Sequence, residues 1–278
     1  MDTRLMTVYP LVSVRIPSFN HERYVKRCLD SVLQDSYPNK EIIIVDDGSV
    51  DNSVSVINDW MAENGGRIPV TFIAREHKGL AATLNELIQH SSGDYYVSLA
   101  SDDYLLDGGI ELRIAYLRSH PDKLAVISDC VVVDADGNQI LESGMEGLYR
   151  ANKSAYATDK GLRYEVILRW AIPGPVLLVD RRIYNIVGGY DESLMVEDWN
   201  LYLKLVALNL LGYVEGRVSA YRVHGRNTSQ RNGFALESTR EFITVALKNI
   251  RHFSWYDKAV MLKAAAMYTY RYMKLKLN

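Results

Sequence analysis

The sequence predicts an α/β protein: a mostly parallel central sheet that helices flank, followed by a helical C-terminal extension. Two observations carry this prediction. Short apolar runs alternate with amphipathic helical segments over residues 11–99, and helical periodicity dominates the chain from about residue 234 onward. Strands that alternate with helices form right-handed β-α-β units, in which the strands lie parallel. At 278 residues, the chain is long enough to bury a substantial core.

The strands of the first half are predicted from apolar runs of four to six residues, namely 11–16, 41–45, 70–73 and 95–99. The second run, Glu41–Val45, is apolar on both alternating faces, which is typical of a strand buried between two helical layers. Helices are predicted between these strands, where apolar residues recur three and four positions apart, at 25–33, 51–62 and 79–90.

The pattern is less regular in the second half of the chain. Strands are predicted at 124–128, 130–133 and 218–222, and Asp134-Ala-Asp-Gly137 is a hairpin turn signal. A helix is expected to begin near Asp107, and others are predicted at 159–170, 180–187 and 197–209.

Composition excludes several classes of protein. The formal net charge of −2 gives no indication of a nucleic-acid partner. Cys28 and Cys130 have neither CxxC spacing nor a His/Cys cluster nearby, so we expect two buried thiols in a reducing cytoplasm and no zinc. The first ten residues lack the apolar region of a signal peptide, and no apolar run approaches the ~18 residues of a spanning helix.

Acidic pairs follow two of the predicted strands. Asp46 and Asp47 come directly after the second strand, and Asp102 and Asp103 come after the fourth. The carboxyl ends of parallel strands open into one crevice, so four carboxylates are expected to converge there. Such a cluster favours Mn²⁺ or Mg²⁺ bound together with substrate phosphates. The alternative is that Asp-Gly-Ser is simple turn chemistry and that Asp102 and Asp103 cap the next helix.

Other nucleotide-binding classes fit the sequence poorly. A Rossmann dehydrogenase should carry GxGxxG after its first strand, but this turn is Pro-Ser-Phe-Asn, residues 17–20. The Walker A pattern is absent, as is the Gly-rich basic loop expected of a nucleotidyltransferase.

Four blocks of the chain, taken in order, resemble the inverting family 2 glycosyltransferases, whose fold is called GT-A. The resemblance runs from about residue 10 to 229, and the blocks are VSVRIPSFNHERYVKRCLDSVLQDSYPNKEIIIVDDGSVDNS, HKGLAATLNELIQHSSGDYYVSLASDD, PGPVLLVDRRIYNIVGGYDESLMVEDWNLYLKL and YRVHGRNTS. The order and spacing of all four blocks make the resemblance specific.

The resemblance implies a donor site for a nucleotide sugar. Pro17, Phe19 and Asn20 would line the base and ribose pocket, with Glu22 nearby. Asp47 would bind the uracil edge, supported by Asp46. Three further positions match the segment beside the donor or could face its phosphates: Arg75, Lys78 and Asn85.

The resemblance also implies a metal site and a general base. Asp102 and Asp103 occupy the DXD-type motif, with Asp103 as the direct ligand and Asp102 nearer the ribose and sugar. His224 would lie near the diphosphate and the metal as a second ligand, and Arg222 and Arg226, which flank it, could meet phosphate oxygens. Ala100 stands where the family often has an Asp, so the metal would rely more on diphosphate and water. Glu197 and Asp198 would lie beside the acceptor, with Asp198 as the base; the alternative is that both only favour the first turn of a helix.

The implied activity is metal-assisted, inverting transfer of a sugar from a nucleotide donor, expected to be UDP-linked, to a saccharide or lipid-linked acceptor in bacterial polysaccharide, O-antigen or capsule assembly. A non-catalytic nucleotide-sugar binding protein on the same fold is the second hypothesis. The expected domain is 1–230, with a nucleotide-sugar half (1–104) and an acceptor half (105–230), followed by a helical extension, 231–278.

The basic and aromatic C-terminal segment, 255–278, leaves two interpretations open. Such a helix can lie on an anionic membrane surface, which would place a cytoplasmic protein on the inner face of the cytoplasmic membrane. Alternatively, it packs on the catalytic domain or on the second subunit of a homodimer.

Overall fold

The computed structural model describes residues 9–225, 227 and 233–277. Its strands are β1 (Val12–Ser18), β2 (Lys40–Asp46), β3 (Val70–Ala74), β4 (Tyr95–Ser98), β5 (Tyr104–Leu105), β6 (Ala125–Val133), β7 (Gln139–Leu141), β8 (Leu177–Asp180) and β9 (Leu211–Arg222). Its α-helices are α1 (Val25–Gln34), α2 (Ser53–Asn64), α3 (Leu80–His90), α4 (Gly109–Ser119), α5 (Asp159–Leu168), α6 (Ile183–Val187), α7 (Glu197–Ala207), α8 (Phe234–Asn249) and α9 (Trp255–Leu277).

One sheet runs through the molecule in the order β3-β2-β1-β4-β8-β6-β9-β5, and β7 pairs with β6. The first four strands are parallel, as the alternation of strands and helices predicts. β8 then enters antiparallel between β4 and β6, while β6 and β9 pair parallel. The carboxyl ends of β1, β2 and β4 therefore lie at one edge of the sheet, where the predicted site should form.

The helices cover both faces of the sheet and enclose two apolar cores. β2 contributes to both, because Ile42 and Ile44 belong to one core while Ile43 and Val45 belong to the other. This arrangement explains why the second apolar run has no polar face. Cys28 and Cys130 are buried and free, and burial raises the pKa of both thiols, as expected of unreactive core residues.

Several strands in the second half of the chain differ from the prediction. Residues 125–133 form one strand instead of two, because the polar residues Ser128 and Asp129 are buried within it. Asp129 remains satisfied there, since it accepts the backbone N–H groups of Cys130 and Met145. β9 is much longer than the predicted 218–222, and β8 lies in a segment whose sequence gave no strand prediction.

The C-terminal helices α8 and α9 pack against α7. Trp199 of α7 makes edge contacts with Phe242 of α8 and Tyr268 of α9, at ring-centroid distances of 4.9 and 5.6 Å. In addition, Asn249 donates a buried hydrogen bond to Asn200. Across the part of the chain that the structure describes, no helix is both long and apolar enough to cross a membrane.

Candidate active site

The loops after β1 and β2 are joined by hydrogen bonds at the sheet edge. The Asn20 backbone N–H donates to Ser49 Oγ at 2.7 Å, and the Asn20 side chain accepts from the Val50 N–H at 2.9 Å. Asn20 has a φ of 56°, a left-handed conformation that Asn tolerates better than most residues. Asp46 accepts from the backbone and hydroxyl of Ser49, so it fixes this loop in place.

Asp47 organises a third loop, residues 75–79, which precedes α3. Its carboxylate accepts the backbone N–H groups of Lys78 and Gly79 at 2.8 and 2.9 Å and forms an ion pair with Arg75. His77 Nδ1 lies 2.9 Å from the same carboxylate. Asp47 is buried, and its contacts to the protein now use both oxygens. Asp47 therefore holds the loop that carries Lys78, which was predicted to face the donor.

Most of the remaining predicted donor residues are exposed. Phe19 is 42% exposed and its ring centroid lies 4.9 Å from that of His77, so an aromatic surface stays open to solvent. Lys78 is also exposed. Glu22 is exposed too, and its carboxylate accepts from the backbone and side chain of Asn52 at the start of α2. Pro17, in contrast, lies partly buried within β1.

Asn85 links the donor loops to the second half of the chain. It donates to the Tyr190 carbonyl and to Glu192, and its Oδ1 accepts the Tyr190 N–H at 2.8 Å. A Cβ on Gly189 would lie 2.6 Å from Asn85 Oδ1, so glycine is needed for this approach. The side chain predicted to run beside the donor therefore holds the loop that leads to α7.

Asp102, His224 and His21 form a cluster beside these loops. His224 Nε2 lies 2.9 Å from Asp102 Oδ2, and His21 Nε2 lies 3.8 Å from the same oxygen. One ligand atom from each residue can be chosen so that all three lie within 4.8 Å of one another. A carboxylate and two imidazoles are suitable ligands for a divalent cation such as Mn²⁺. These three side chains therefore fit a divalent metal ion.

Electrostatics favour the ligating forms of two of these groups. Burial opposes ionisation of Asp102, but the hydrogen bond to His224 and the proximity of His21 outweigh it and lower the pKa of this carboxyl. Burial lowers the pKa of His21, which favours the neutral imidazole that can bind a metal. His21 Nδ1 also lies 2.8 Å from Ser101 Oγ, which orients the ring.

Asp103 lies outside this cluster, although it was expected to be the direct ligand. Its Oδ1 accepts the Arg222 backbone N–H at 2.8 Å, while the Arg222 side chain donates to the Asp102 carbonyl. Burial and the neighbouring Asp102 raise the pKa of Asp103 well above its usual range. Arg222 therefore joins β9 to the loop that carries Asp102 and Asp103, and its side chain is not free to bind phosphate. Arg226, the other arginine considered for phosphate, lies outside the described residues.

Glu197 and Asp198 begin α7, as predicted for the acceptor side. Glu197 is buried, whereas Asp198 is partly exposed and accepts the Trp199 N–H at 2.6 Å. Burial raises the pKa of Asp198 to about 6. Burial and the neighbouring Asp198 raise the pKa of Glu197 well above its usual range. Glu241 of α8 accepts the backbone N–H groups of Met195 and Val196, and so holds the segment directly before α7.

Tyr149 and Tyr221 form a pair whose ring centroids are 6.4 Å apart. Burial is the main cause of the raised pKa of Tyr149, and the charges of Asp198 and Asp103 add to it. The start of α7 and the loop that carries Asp103 therefore both lie within electrostatic range of this tyrosine.

Sequence reasoning did not identify three residues of this site: His21, Tyr149 and Tyr221. His21 could have been found, because it follows the Pro-Ser-Phe-Asn turn directly. The tyrosines carry no local signal, since Tyr149 comes from an irregular segment and Tyr221 from the part of β9 beside β6.

These features describe a mixed α/β fold in which acidic and histidine side chains cluster near the ends of the parallel strands. The family model of glycosyl transferase family 2 matches residues 13–168. The chain therefore belongs to glycosyl transferase family 2, and its fold is GT-A.

Curated relatives are about a quarter identical to this chain over the residues that match. Chondroitin synthase of Escherichia coli is 27% identical over 221 residues, which are 79% of this chain and 30% of that protein. An uncharacterised glycosyltransferase of Rickettsia prowazekii is 27% identical over 269 residues, covering 91% of this chain and 80% of that protein. Hyaluronan synthase of Pasteurella multocida is 25% identical, and the match covers 23% of it. The chain thus spans less than a third of either synthase.

Solved structures of similar fold include two with nucleotide sugars. The mannosyltransferase PcManGT from Pyrobaculum calidifontis, in complex with GDP-Man and Mn²⁺, superposes with a TM-score of 0.70 at 18% identity, over 96% of this chain and 73% of that one. S. aureus TarS 1–349 in complex with UDP-GlcNAc gives a TM-score of 0.69 at 17% identity, over 95% and 72%. At these identities the comparison establishes the fold.

Proposed function

We propose that this protein is a metal-assisted inverting glycosyltransferase that moves a sugar from a nucleoside-diphosphate sugar to a saccharide or lipid-linked acceptor. The observation that carries the proposal is the pairing of a metal-ligand cluster at the strand ends with Asp198, a carboxyl of raised pKa at the start of α7. In domain terms, we assign the transferase to residues 1–230 and a supporting helical extension to residues 231–278.

In this proposal the metal is held by Asp102 and His224, with His21 as a third ligand, and Asp103 supports the loop. A bound Mn²⁺ or Mg²⁺ would neutralise charge that develops on the leaving diphosphate. His21 takes the place of the carboxylate missing at Ala100, so the protein supplies more ligands than the acidic motif alone suggests. We assign UDP as the preferred nucleotide; GDP is the competing candidate, since PcManGT was solved with GDP-Man.

The donor base would stack on Phe19 at the open aromatic surface, between the loops that Asn20 and Asp47 hold. Lys78 is exposed near the N-terminus of α3 and would meet the phosphates, which also face the N–H groups of that helix end. Pro17 and Glu22 act by fixing the loop, and Asn85 by anchoring the acceptor side.

For the transfer itself, Asp198 accepts the proton of the acceptor hydroxyl as its oxygen attacks the anomeric carbon. The bond from that carbon to the diphosphate oxygen breaks, and its electron pair leaves with the nucleoside diphosphate. A base works best when its pKa lies near the working pH, and a value of about 6 meets this condition. A protein that only binds nucleotide sugars has no use for such a base, which favours the enzyme over the binding protein.

A thermal-shift screen tests the proposal. Nucleotide sugars are tested with and without Mn²⁺, because a ligand that binds the folded state raises the apparent melting temperature. We expect one nucleotide family to give a shift that depends on Mn²⁺, and expect Asp102→Asn to remove it. Asp122→Asn, which removes an exposed carboxylate elsewhere, is the control. A screen in which no nucleotide sugar binds would contradict the proposal.

A further inference from the structure

Helix α9 has two apolar faces, and only one of them is covered by the protein. The buried face packs on α7 and α8 through Met261, Ala264, Ala265 and Tyr268. A surface helix with a single apolar face would carry polar residues opposite these positions. α9 does not follow that rule.

The opposite face of α9 is an exposed apolar stripe. Its members are spaced by 4, 3, 4, 4, 3 and 4 residues, which keeps them in line along a helix of about 3.6 residues per turn. They are Trp255, Ala259, Leu262, Ala266, Tyr270, Met273 and Leu277, and every one is exposed. Trp255 is 83% exposed, Tyr270 68% and Leu277 88%. At a rise of about 1.5 Å per residue, the stripe is about 33 Å long.

Lysines border this stripe on both sides. With a step of about 100° per residue, Lys258 and Lys276 fall along one edge, and Lys263 and Lys274 fall along the other. The acidic residue of α9, Asp257, is buried and forms an ion pair with Arg163 at 3.1 Å. The outward surface of α9 is therefore apolar at its centre, and every charged residue at its borders is basic.

We propose that this stripe lies in the plane of a membrane that contains anionic lipids, with the apolar residues in the headgroup–acyl boundary and the lysines at the phosphates. An apolar centre with basic borders and an exposed Trp is the pattern that interfacial helices use. A second copy of the chain fits less well, because both borders are basic. Pairing two such stripes in either direction would bring lysines close to lysines, which is repulsive.

Helix α9 also contacts α7, which carries the proposed base. Tyr268, on the buried side of α9, contacts Trp199, the residue directly after the proposed base Asp198. Binding through α9 would hold the start of α7 close to the lipid surface. A lipid-linked acceptor could then present its hydroxyl to Asp198 without leaving the membrane. This consequence for the acceptor rests on the proposed function, whereas membrane binding does not.

Vesicle binding by the full chain tests the proposal. Vesicles of phosphatidylglycerol are compared with vesicles of phosphatidylcholine, by co-sedimentation and by tryptophan fluorescence. Of the other three tryptophans, Trp60 and Trp199 are 1% and 0% exposed, and Trp170 is partly buried against Tyr202. A blue shift on binding should therefore come chiefly from Trp255 and should vanish in Trp255→Phe. We expect binding to the anionic vesicles, little binding to phosphatidylcholine, and release by salt.

Two variants and a matched control separate the components. Leu262→Glu should weaken vesicle binding by about tenfold or more. The double variant Lys263→Gln, Lys274→Gln should weaken it by about fivefold for each lysine removed. Ile140→Glu changes an equally exposed residue of β7 (52% against 54%) and should bind as the parent protein does. Circular dichroism checks that each variant is folded.

Failure to bind phosphatidylglycerol vesicles would overturn the proposal, as would unchanged binding of folded Leu262→Glu. Sedimentation analysis adds a further outcome. A dimer that Leu262→Glu dissociates, in a protein that ignores vesicles, would assign the stripe to a second copy and also overturn the membrane proposal. The proposed transfer function survives either result, because donor binding is measured without vesicles.

Discussion

Replacing Asp198 by Asn removes the proposed base while keeping the shape of the side chain. The amide oxygen of Asn can still accept the Trp199 N–H, which Asp198 accepts at 2.6 Å. General-base catalysis contributes about 10²–10⁴ in rate, so we expect turnover to fall by that factor. Donor affinity should stay close to that of the parent protein, because Asp198 is assigned to the acceptor side. The assay is release of nucleoside diphosphate in the presence of an acceptor that the parent protein uses.

The pH profile gives a second, independent reading of the same group. Asp198 must be ionised to act as a base, so activity should rise with pH through about 6 and level off above it. At pH 5 a carboxyl with a pKa of about 6 is only about one-tenth ionised, whereas one with an ordinary pKa would be about nine-tenths ionised or more. We therefore expect about one-tenth of full activity at pH 5.

Stability should change in the opposite direction to activity. The pKa of Asp198 is raised on folding, so its contribution to stability is present below the unfolded-state pKa and is lost as the pH rises through about 6. Above that pH the parent protein carries a carboxylate that the fold disfavours by up to about 3 kcal/mol, and Asn relieves it. We expect Asp198→Asn to melt at least about 2 °C higher at pH 8, with a smaller difference at pH 5.

Asp122→Asn is the control, and it should alter neither the pH profile nor the melting temperature. Turnover of Asp198→Asn within tenfold of the parent would refute the assignment of the base. An activity profile that stays flat from pH 7 down to pH 5 would refute the raised pKa on which the reasoning depends.

Three further predictions test the loops around the site. Asp103→Asn should retain metal-dependent donor binding in calorimetry, because burial already favours the neutral acid at this position; loss of binding would restore Asp103 as a ligand. Arg75→Gln leaves the buried Asp47 without its arginine partner. We therefore expect the free energy of unfolding in urea to fall by about 3–5 kcal/mol and donor binding to weaken. If neither changes, Asp47 does not organise residues 75–79. Gly48→Ala should lower the free energy of unfolding by at least about 2 kcal/mol, because φ is +79° and a Cβ would lie 2.7 Å from the backbone nitrogen of His77. Gly66→Ala is the control: a Cβ there meets no atom within 4 Å, so its effect should be close to neutral. Equal effects of the two substitutions would contradict the steric argument.

The parallel half of the fold could be predicted from the sequence because its periodicities are local. An apolar run such as Ile42–Val45 has one explanation in an α/β sheet, namely a strand covered on both faces. β8 and the long β9 could not be predicted, because their partners lie far away in the chain. Ala125 of β6, for example, pairs with Val179 on one side and Leu211 on the other.

The acidic pairs show the same limit at the site. Their convergence follows from topology, and the structure brings both pairs to one edge of the sheet. Which carboxylate of a pair faces the crevice depends on distant contacts: Arg222 engages Asp103 and leaves Asp102 to His224. The role of Asp47 likewise depends on Arg75, which sequence reasoning placed at the phosphates and which is instead paired with Asp47.

The central claim is a division of labour between two carboxylates: Asp102 holds the metal for the donor, and Asp198 serves the acceptor. The most direct measurement is calorimetric affinity for the nucleotide sugar with Mn²⁺, compared in Asp102→Asn and Asp198→Asn. We predict that Asp102→Asn loses metal-dependent binding and that Asp198→Asn binds as the parent protein does. Equal loss in both variants, or full binding by Asp102→Asn, would contradict the account.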